Sequence, residues 1–432
     1  MVNPDLVIRS RGMVQSSVVY PSTRLNLGQD LPLTWWQKPV LVAVLSPRDE
    51  FANFWNEVTR GDIESLCSHG NVAKLRELLL SRLKFGTAGL RGQMGPGYSQ
   101  MNDLVIIQTV QGLAVYLEEA LKDVIHKNGV IVGYDGRHNS RRWAELTATV
   151  LVNRNIPVRL FSKVCPTPFV PFGVLHYECA AGVMVTASHN PKEDNGFKVY
   201  WQNGAQIIPP HDKGIESAIL NNLCPWENSW NTSILASSNL LSDPLQETKG
   251  FYMKNLGQDV LQQKLNQDCH INFTYTAMHG VGYVYMEEAF RTAKFKPFVT
   301  VEEQRDPDPE FPTVRFPNPE EGRSALDLSI KTAENNNSTV ILANDPDADR
   351  LAVAEKQDNG WYIFSGNELG ALLGWWSWYS YCQHNPDEDR SQLYMMASTV
   401  SSKFLKTMAT AEGFNFTVCF LQQSALKFIA QI

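Results

Sequence analysis

The 432 residues predict an α/β protein built of tandem units, on three observations. Apolar runs of strand length alternate with longer segments whose apolar residues recur every three or four positions. The alternation repeats and then begins a third time. In each of the first two repeats an apolar strand leads directly into a polar stretch dense in chemistry: "GVMVTASHNPKEDNG" at 182–196 and "TVILANDPDADR" at 339–350. Strand–helix alternation implies parallel strands joined by crossovers, and ligands of such sheets gather at the carboxyl ends of the strands. The chain is too long for one core and fits two to four domains.

Residues 1–47 lack either period and read as an atypical, irregular extension. From Asp49 the pattern is helical, through "FANFWNEVTRGDIESLC" and "NVAKLRELLLSRL". "KFGTAGLRGQMGPG" (84–97), with its repeated glycines, reads as a loop rich in exposed backbone amides. A helix is expected at about 104–125, a buried strand at 129–135, a helix in "SRRWAELTATVLVNR", a strand in "PVRLFS" and another at 182–188, ending on Ser188. A second unit begins near residue 245. Its "INFTYTAMHGVG" reads as strand then turn and "YVYMEEAFRTA" as helix; a Pro- and acid-rich loop at 306–322, a helix at 324–334 and a strand at 339–343 follow. A third unit starts at about 360 with "WYIFSGNELGALLGWWSW", continues through a strand "LYMMAS" and a helix "SSKFLKTMATAEG", and stops at Ile432. The expected division is therefore 1–47, 48–235, 236–355 and a partial unit at 356–432.

Composition narrows the function classes. With 38 basic and 45 acidic residues the net charge is −7, which gives no general attraction for nucleic acid or anionic lipid. "PVLVAVL" (39–45) and "LGALLGWWSWYSYC" (369–382) are the longest apolar runs, well short of the roughly 18 residues a span needs. Neither nucleic acid nor membrane is expected as a partner; oligomeric state is left open. Seven scattered cysteines without a CxxC pair point to reduced thiols and the cytosol.

Asp345, Asp347 and Asp349 stand at i, i+2, i+4 directly after an apolar strand. Three hard oxygen ligands so close repel one another unless a divalent cation neutralises them. An EF-hand loop starting at Asp345 would need Gly and Glu where Arg350 and Lys356 stand, so that reading fails. The bland alternative is an acidic solvated turn. Three carboxylates leave positions open on Mg²⁺ for another oxygen, and a phosphate on Ser188 would supply one. Ser188 and His189 are neighbours that point apart, and no G-x-S-x-G elbow is present, which weakens a hydrolase reading. Taken alone, Lys198 reads equally well as a strand lysine and Arg91 as a surface arginine.

Taken together, "TASHNPKEDNGFKVYW", "NDPDADRLAVAEK", "FGTAGLRG" with "GPGYSQMND", and "FSGNELGALLGWW" resemble the α-D-phosphohexomutase superfamily. The likeness is to its phosphoglucomutase-2/phosphopentomutase branch, which includes glucose-1,6-bisphosphate synthase, and it runs from about Asp49 to about Phe416. The resemblance implies tandem mixed-sheet α/β domains: a phosphoserine domain, a metal-binding domain and a sugar-binding domain. It implies Ser188 as the phosphoserine, one Mg²⁺ held by Ser188, Asp345, Asp347 and Asp349, and a sugar bisphosphate as activator and intermediate. Lys198, Arg91 and His189 would be catalytic, with Lys198 ranked above His189 as the proton carrier. Arg350 and Asn190 would bind phosphate.

The implied activity is a phosphosugar mutase interconverting sugar 1-phosphate and 5- or 6-phosphate of glucose or ribose. Bisphosphate synthesis is the alternative within the branch. Past "EGFNF" the chain reads "TVCFLQQSALKFIAQI" where the branch continues with a sugar-binding strand, and the later sugar loop and fourth domain are absent. The expectation is a truncated form with two complete domains and part of a third, weak or inactive as a mutase. A non-catalytic binding or regulatory protein is the alternative of another class. Apolar surface is expected around Trp375, Trp376 and Trp378.

Overall fold

A computed structural model describes residues 56–419 apart from 261, 321 and 322. The extension read at 1–47, the helix start at Asp49 and the residues after 419 lie outside the described residues. The early helical period becomes two short helices, Glu57–Ser68 and Val72–Leu80. Asn56 and Asn71 cap them, their side chains accepting from the Val58 and Lys74 amides. The pair closes over Ile63, Leu75, Leu78 and Leu79.

Six strands form the first sheet: β1 (Leu90–Gln93), β2 (Val130–Tyr134), β3 (Val158–Leu160), β4 (Ala181–Val185), β5 (Asp194–Trp201) and β6 (Leu241–Ser242). They stand in the order β1-β5-β4-β2-β3-β6. β4, β2, β3 and β6 are parallel, as strand–helix alternation requires. β5 instead returns antiparallel to β4, and β1 pairs antiparallel with β5. The sheet is therefore mixed, as the resemblance implied, and the stretch after Ser188 is a hairpin return. The reading of 84–97 as pure loop is corrected here, because four of its residues are an edge strand. The reason is backbone satisfaction, since amides of 90–93 find partners along β5, whose own residues are nearly all buried. Gly89 makes the approach possible: its φ is +75°, and a Cβ there would lie 1.9 Å from the Phe197 carbonyl oxygen.

The core of this sheet is covered by the helix Asp103–Ala120, buried along most of its length. Its polar residues inside are all bonded: Gln108 donates to the Leu223 carbonyl at 2.7 Å, and Gln111 to those of Asn222 and Cys224 at 2.9 Å. Asp103 accepts from the Trp143 indole at 2.8 Å. The expected 104–125 helix ends at Ala120, and Lys122–Asn128 leaves it at 120°. Among the described residues no single helix is long and apolar enough to cross a membrane. The described cysteines Cys67, Cys165, Cys179, Cys224, Cys269 and Cys382 are free thiols.

The second sheet contains β7 (Phe273–Thr276), β8 (Val299–Thr300), β9 (Val340–Asn344), β10 (Leu351–Gln357) and β11 (Gly360–Ile363), ordered β11-β10-β9-β7-β8. β7 is parallel to β8 and β9, whereas β9–β10 and β10–β11 are antiparallel. Leu326, Ile330 and Ala333 of the helix Arg323–Asn335 pack on its inner residues. The two sheets end at Ser242 and Ile363, beyond residues 235 and 355, and the strand at 360 belongs to the second sheet rather than opening a third unit.

A parallel pair, β12 (Tyr394–Ser398) and β13 (Asn415–Cys419), completes the described chain with the helices Gly366–His384 and Phe404–Glu412. The first of these helices opens on a capping box between Ser365 and Glu368. Trp378 turns inward, its ring 4.4 Å from that of Phe414, while Trp375 and Trp376 are 49% and 42% exposed. The expected apolar surface is therefore carried by two of the three tryptophans.

Candidate functional site

Both chemistry-bearing stretches are hairpin turns, β4 to β5 and β9 to β10, and the two turns face each other. Ser188 is 3% exposed with φ +53°. That left-handed conformation costs a non-glycine residue about 1–2 kcal/mol, so the surroundings must impose it. The Ser188 amide donates to Thr186 Oγ1 at 2.8 Å. Its hydroxyl crosses to the second turn and donates to Asp345 Oδ2 at 2.6 Å. His189 Nδ1 lies 3.2 Å from Ser188 Oγ and 4.0 Å from Asp345 Oδ2.

Strand register decides where Lys198 goes. It sits opposite Met184 in the β4–β5 ladder, so the hairpin folds it back beside the serine loop. Its ammonium donates to Asp347 Oδ2 at 2.7 Å and Asp349 Oδ2 at 2.8 Å, fully within the interior. Thr167 adds a hydroxyl bond of 2.5 Å to Asp347 Oδ2 and an amide bond of 2.9 Å to the Asp347 carbonyl. The acidic turn is wound around its first member, as Asp345 Oδ1 accepts from the amides of Asp349 and Arg350 at 3.2 and 3.0 Å. Gly280 lets a neighbouring turn press against it, since a Cβ there would lie 2.3 Å from Pro346 Cα.

One oxygen from each of Asp345, Asp347 and Asp349 lies within 4.8 Å of the other two. Burial, then the like charges of Asp347 and Asp349, push the Asp345 carboxyl well above the usual carboxylate range. Burial and the Asp347 charge also raise Asp349. For Asp347, burial pulls upward but is outweighed by Lys198 and the hydrogen bonds, which hold it below the usual range. Lys198 mirrors this: burial would lower it, and the two carboxylates outweigh burial and raise it. Lys198 and Asp347 are therefore a charged pair inside the protein. Asp347 Oδ1 is buried without a hydrogen-bond partner, so the cluster keeps one anionic oxygen available to a cation. That oxygen, the mutual repulsion and the all-oxygen donor set fit a hard divalent ion.

The remaining expected residues stand around this centre. Arg91, exposed on β1, donates to Asn190 Oδ1 at 3.2 Å, and Asn190 donates to Asp194 Oδ2 at 2.9 Å. Arg350 is turned to Glu320, at 3.1 Å. Burial, followed by the positive charges of Arg350 and Arg91, lowers His189 to about 4, so its ring is neutral at pH 7. The sign of the resulting pH dependence is determinate. An unfolded histidine binds a proton below about 6.5 that folded His189 refuses until about 4, so its contribution is complete above 6.5 and is lost as pH falls toward 4. In denaturation at pH 7.5 and 5, wild type should lose stability relative to His189→Gln on acidification; an equal difference at both pH values would contradict this.

Four buried residues of the site escape sequence reasoning. Asp135, Arg137, Thr167 and Thr186 hold the two turns through the bonds above and those of the Asp135–Arg137 pair. A signal was available for two of them, because "GYDGRHNS" follows a buried strand and places an acid and an arginine at its carboxyl end. Thr167 and Thr186 carry no such mark.

Known proteins resemble this chain over most of its length. Residues 82–223 match the model of phosphoglucomutase/phosphomannomutase alpha/beta/alpha domain I, and residues 251–360 that of domain II. The chain is 51% identical over 371 residues to the phosphopentomutase of Homo sapiens, covering 84% of this chain and 60% of that protein. It is 48% identical over 369 residues to the human glucose 1,6-bisphosphate synthase, covering 84% and 59%. The chain thus spans about three fifths of the length of these relatives. A phosphoglucomutase/phosphomannomutase family protein from Burkholderia thailandensis shares the fold, with a TM-score of 0.60 at 19% identity over 78% of this chain and 66% of that one.

Proposed function

Because the chain belongs to the phosphoglucomutase/phosphomannomutase family, we propose that it is a phosphosugar mutase carrying its phosphoryl group on Ser188. The substrates are glucose 1-phosphate and ribose or deoxyribose 1-phosphate, converted to the 6- or 5-phosphate through a bisphosphate. The observation that carries this reading is the buried Ser188 hydroxyl placed 2.6 Å from Asp345 at the edge of a three-carboxylate cluster. The same reading includes a first unit that ends near Ser242, a second that ends near Ile363 and a third beyond it, and a cytosolic location in keeping with the free thiols.

In this reading Asp345, Asp347, Asp349 and an oxygen on Ser188 would hold Mg²⁺, which would supply positive charge against the phosphoryl oxygens. Lys198, kept protonated by Asp347 and Asp349, adds fixed positive charge and can return a proton to the Ser188 oxygen when its bond to phosphorus breaks. His189, neutral at pH 7 with Nδ1 3.2 Å from Ser188 Oγ, ranks second to Lys198 as the carrier of a proton at that oxygen. Arg91, Arg350 and Asn190 orient phosphate from the rim. Phosphoryl transfer asks mainly for positioning and positive charge, and these residues supply both.

The test is a coupled assay with glucose 1-phosphate and ribose 1-phosphate side by side, each with its bisphosphate, and a third arm pairing glucose 1-phosphate with a bisphosphoglycerate donor. Isomerisation of either sugar supports the mutase, and accumulation of glucose 1,6-bisphosphate in the third arm favours the synthase. Absence of product in every arm, with Ser188 unphosphorylated, overturns the proposal. The metal part has its own readout. Mg²⁺ at a hundredfold excess over Kd should stabilise the protein by about 2.7 kcal/mol, and Asp347→Asn should remove the magnesium-dependent rise in Tm. An undiminished rise in that variant would mean the acidic turn holds no ion.

A further inference from the structure

One guanidinium accepts responsibility for the whole shape of the serine loop. Arg137 Nη2 donates to the carbonyls of Ser188 and Asn190, both at 2.6 Å. Its Nη1 donates to those of Pro191 at 2.8 Å and Asp194 at 3.2 Å. Arg137 is 4% exposed and is held in turn by Asp135, whose Oδ2 lies 3.5 Å from Nε. Asp135 also accepts from the Arg137 amide at 3.0 Å, Ser140 Oγ at 2.7 Å and Thr186 Oγ1 at 2.6 Å. Thr186 accepts from the Ser188 amide, so the Asp135–Arg137 pair grips Ser188 from both its N–H and its C=O. The guanidinium lies 4.9 Å from the ring of Phe311, a residue of the unit that carries the carboxylates. Beside it, Glu310 accepts from His138 at 2.6 Å and Lys192 at 2.7 Å across the same seam.

We propose that Arg137 is the positioning residue of the phosphate-carrying loop. It holds Ser188 in its left-handed conformation with Oγ directed at Asp345, and through Phe311 it ties that loop to the unit opposite. The inference rests on the reading of Ser188 as the phosphoryl carrier, but the clamp itself can be tested apart from it. Among the described residues no hydrogen bond joins Arg137 to the Ser188 hydroxyl or to the three carboxylates; it acts through the backbone. Only a planar fork reaches four carbonyls at once, and lysine, a point donor on a flexible stem, cannot replace it. Released from the fork, the left-handed Ser188 peptide relaxes, and a misplacement of about 1 Å at a reacting group can cost on the order of 10²-fold in rate.

The experiment compares wild type, Arg137→Lys and Arg137→Ala in quenched time courses of Ser188 phosphorylation by glucose 1,6-bisphosphate, read by intact mass. Hydrogen–deuterium exchange of residues 186–196 is followed in the same preparations. R137K should incorporate phosphate about 100-fold more slowly at an unchanged half-saturating bisphosphate concentration, with its magnesium-dependent Tm rise retained. Added methylguanidine should speed R137A. The 186–196 amides should exchange faster in R137K while those of 340–350 do not. A wild-type rate in R137K, even with a lowered Tm, would reduce the clamp to a structural contact and overturn the proposal. So would a defect confined to the half-saturating concentration. If wild-type Ser188 takes no phosphate, the carrier reading fails, and unchanged exchange at 186–196 would then overturn the clamp on its own evidence.

Discussion

Ser188→Ala is expected to abolish phosphate uptake from a sugar bisphosphate, from close to one phosphate per chain to none. The expectation follows from where hydroxyls stand around the carboxylate cluster. Thr167 is spent on Asp347 and Thr186 on Asp135, each as a hydrogen-bond donor in the interior. Among the described serines, Ser188 directs its hydroxyl at Asp345. The substitution removes one oxygen and the bond to Asp345, a loss of about 1 kcal/mol, and alanine meets the same left-handed backbone cost as serine. Folding should therefore survive while the acceptor atom is gone. Intact mass and peptide mapping after incubation with glucose 1,6-bisphosphate decide the matter. Phosphate retained by the variant, at any residue, would end the assignment of Ser188.

Lys198→Met should cost about 3–5 kcal/mol of stability, the range expected when one partner of a buried ion pair is removed and the other charge is stranded. Lys198 is 4% exposed and its two partners, Asp347 and Asp349, belong to the other sheet. The pH behaviour follows from the directions of the two shifts. Lys198 is raised, so its contribution is complete below the ordinary lysine value of about 10.4 and is lost only as pH rises through its folded value. Asp347 is depressed, so its contribution is complete above about 3.9 and is lost as pH falls through its folded value. In the variant burial of Asp347 is no longer outweighed and its carboxyl is pushed up, so the loss should be smallest near pH 5, where a proton can replace the missing charge, and grow toward pH 9 in chemical denaturation with EDTA. Addition of Mg²⁺ should recover part of the loss, because a divalent cation offsets the same carboxylates. A loss below 1 kcal/mol at pH 9, or one that shrinks as pH rises, would show that the pair is not buried as a charged unit.

Much of the framework was readable because it is local. The helix Ser140–Asn153, the strand Val130–Tyr134 and the strand Val340–Asn344 fall where apolar periodicity puts them, since a side chain's partition between water and core depends on its neighbours three, four or two residues away. What periodicity misread was direction and partnership. "TASHNPKEDNG" was legible as a strand end, but not that the chain reverses there and β5 runs back along β4. "GLRGQ" looked like loop, yet it pairs with the far edge of β5. Both outcomes depend on a free strand edge elsewhere in the fold, and nothing in either segment announces that edge. Trp378 differs from Trp375 and Trp376 for a similar reason, because Phe414, thirty-six residues onward, supplies its cover.

The same division runs through the site. By residue type and spacing alone, the sequence determined that three carboxylates at Asp345, Asp347 and Asp349 need positive charge, and that a serine stands at a strand end. Coulomb repulsion between near neighbours is a property of local spacing, so it can be read without a fold. Which charge answers it was decided only in three dimensions. The Met184–Lys198 register turns the lysine inward, the meeting of the β4–β5 and β9–β10 turns sets Asp345 Oδ2 2.6 Å from Ser188 Oγ, and Arg137 binds four carbonyls that no pattern links to it. Hydrogen bonds and buried ion pairs act over about 3 Å, and Ser188 and Asp345 are 157 residues apart in the chain. Only tertiary packing closes that separation.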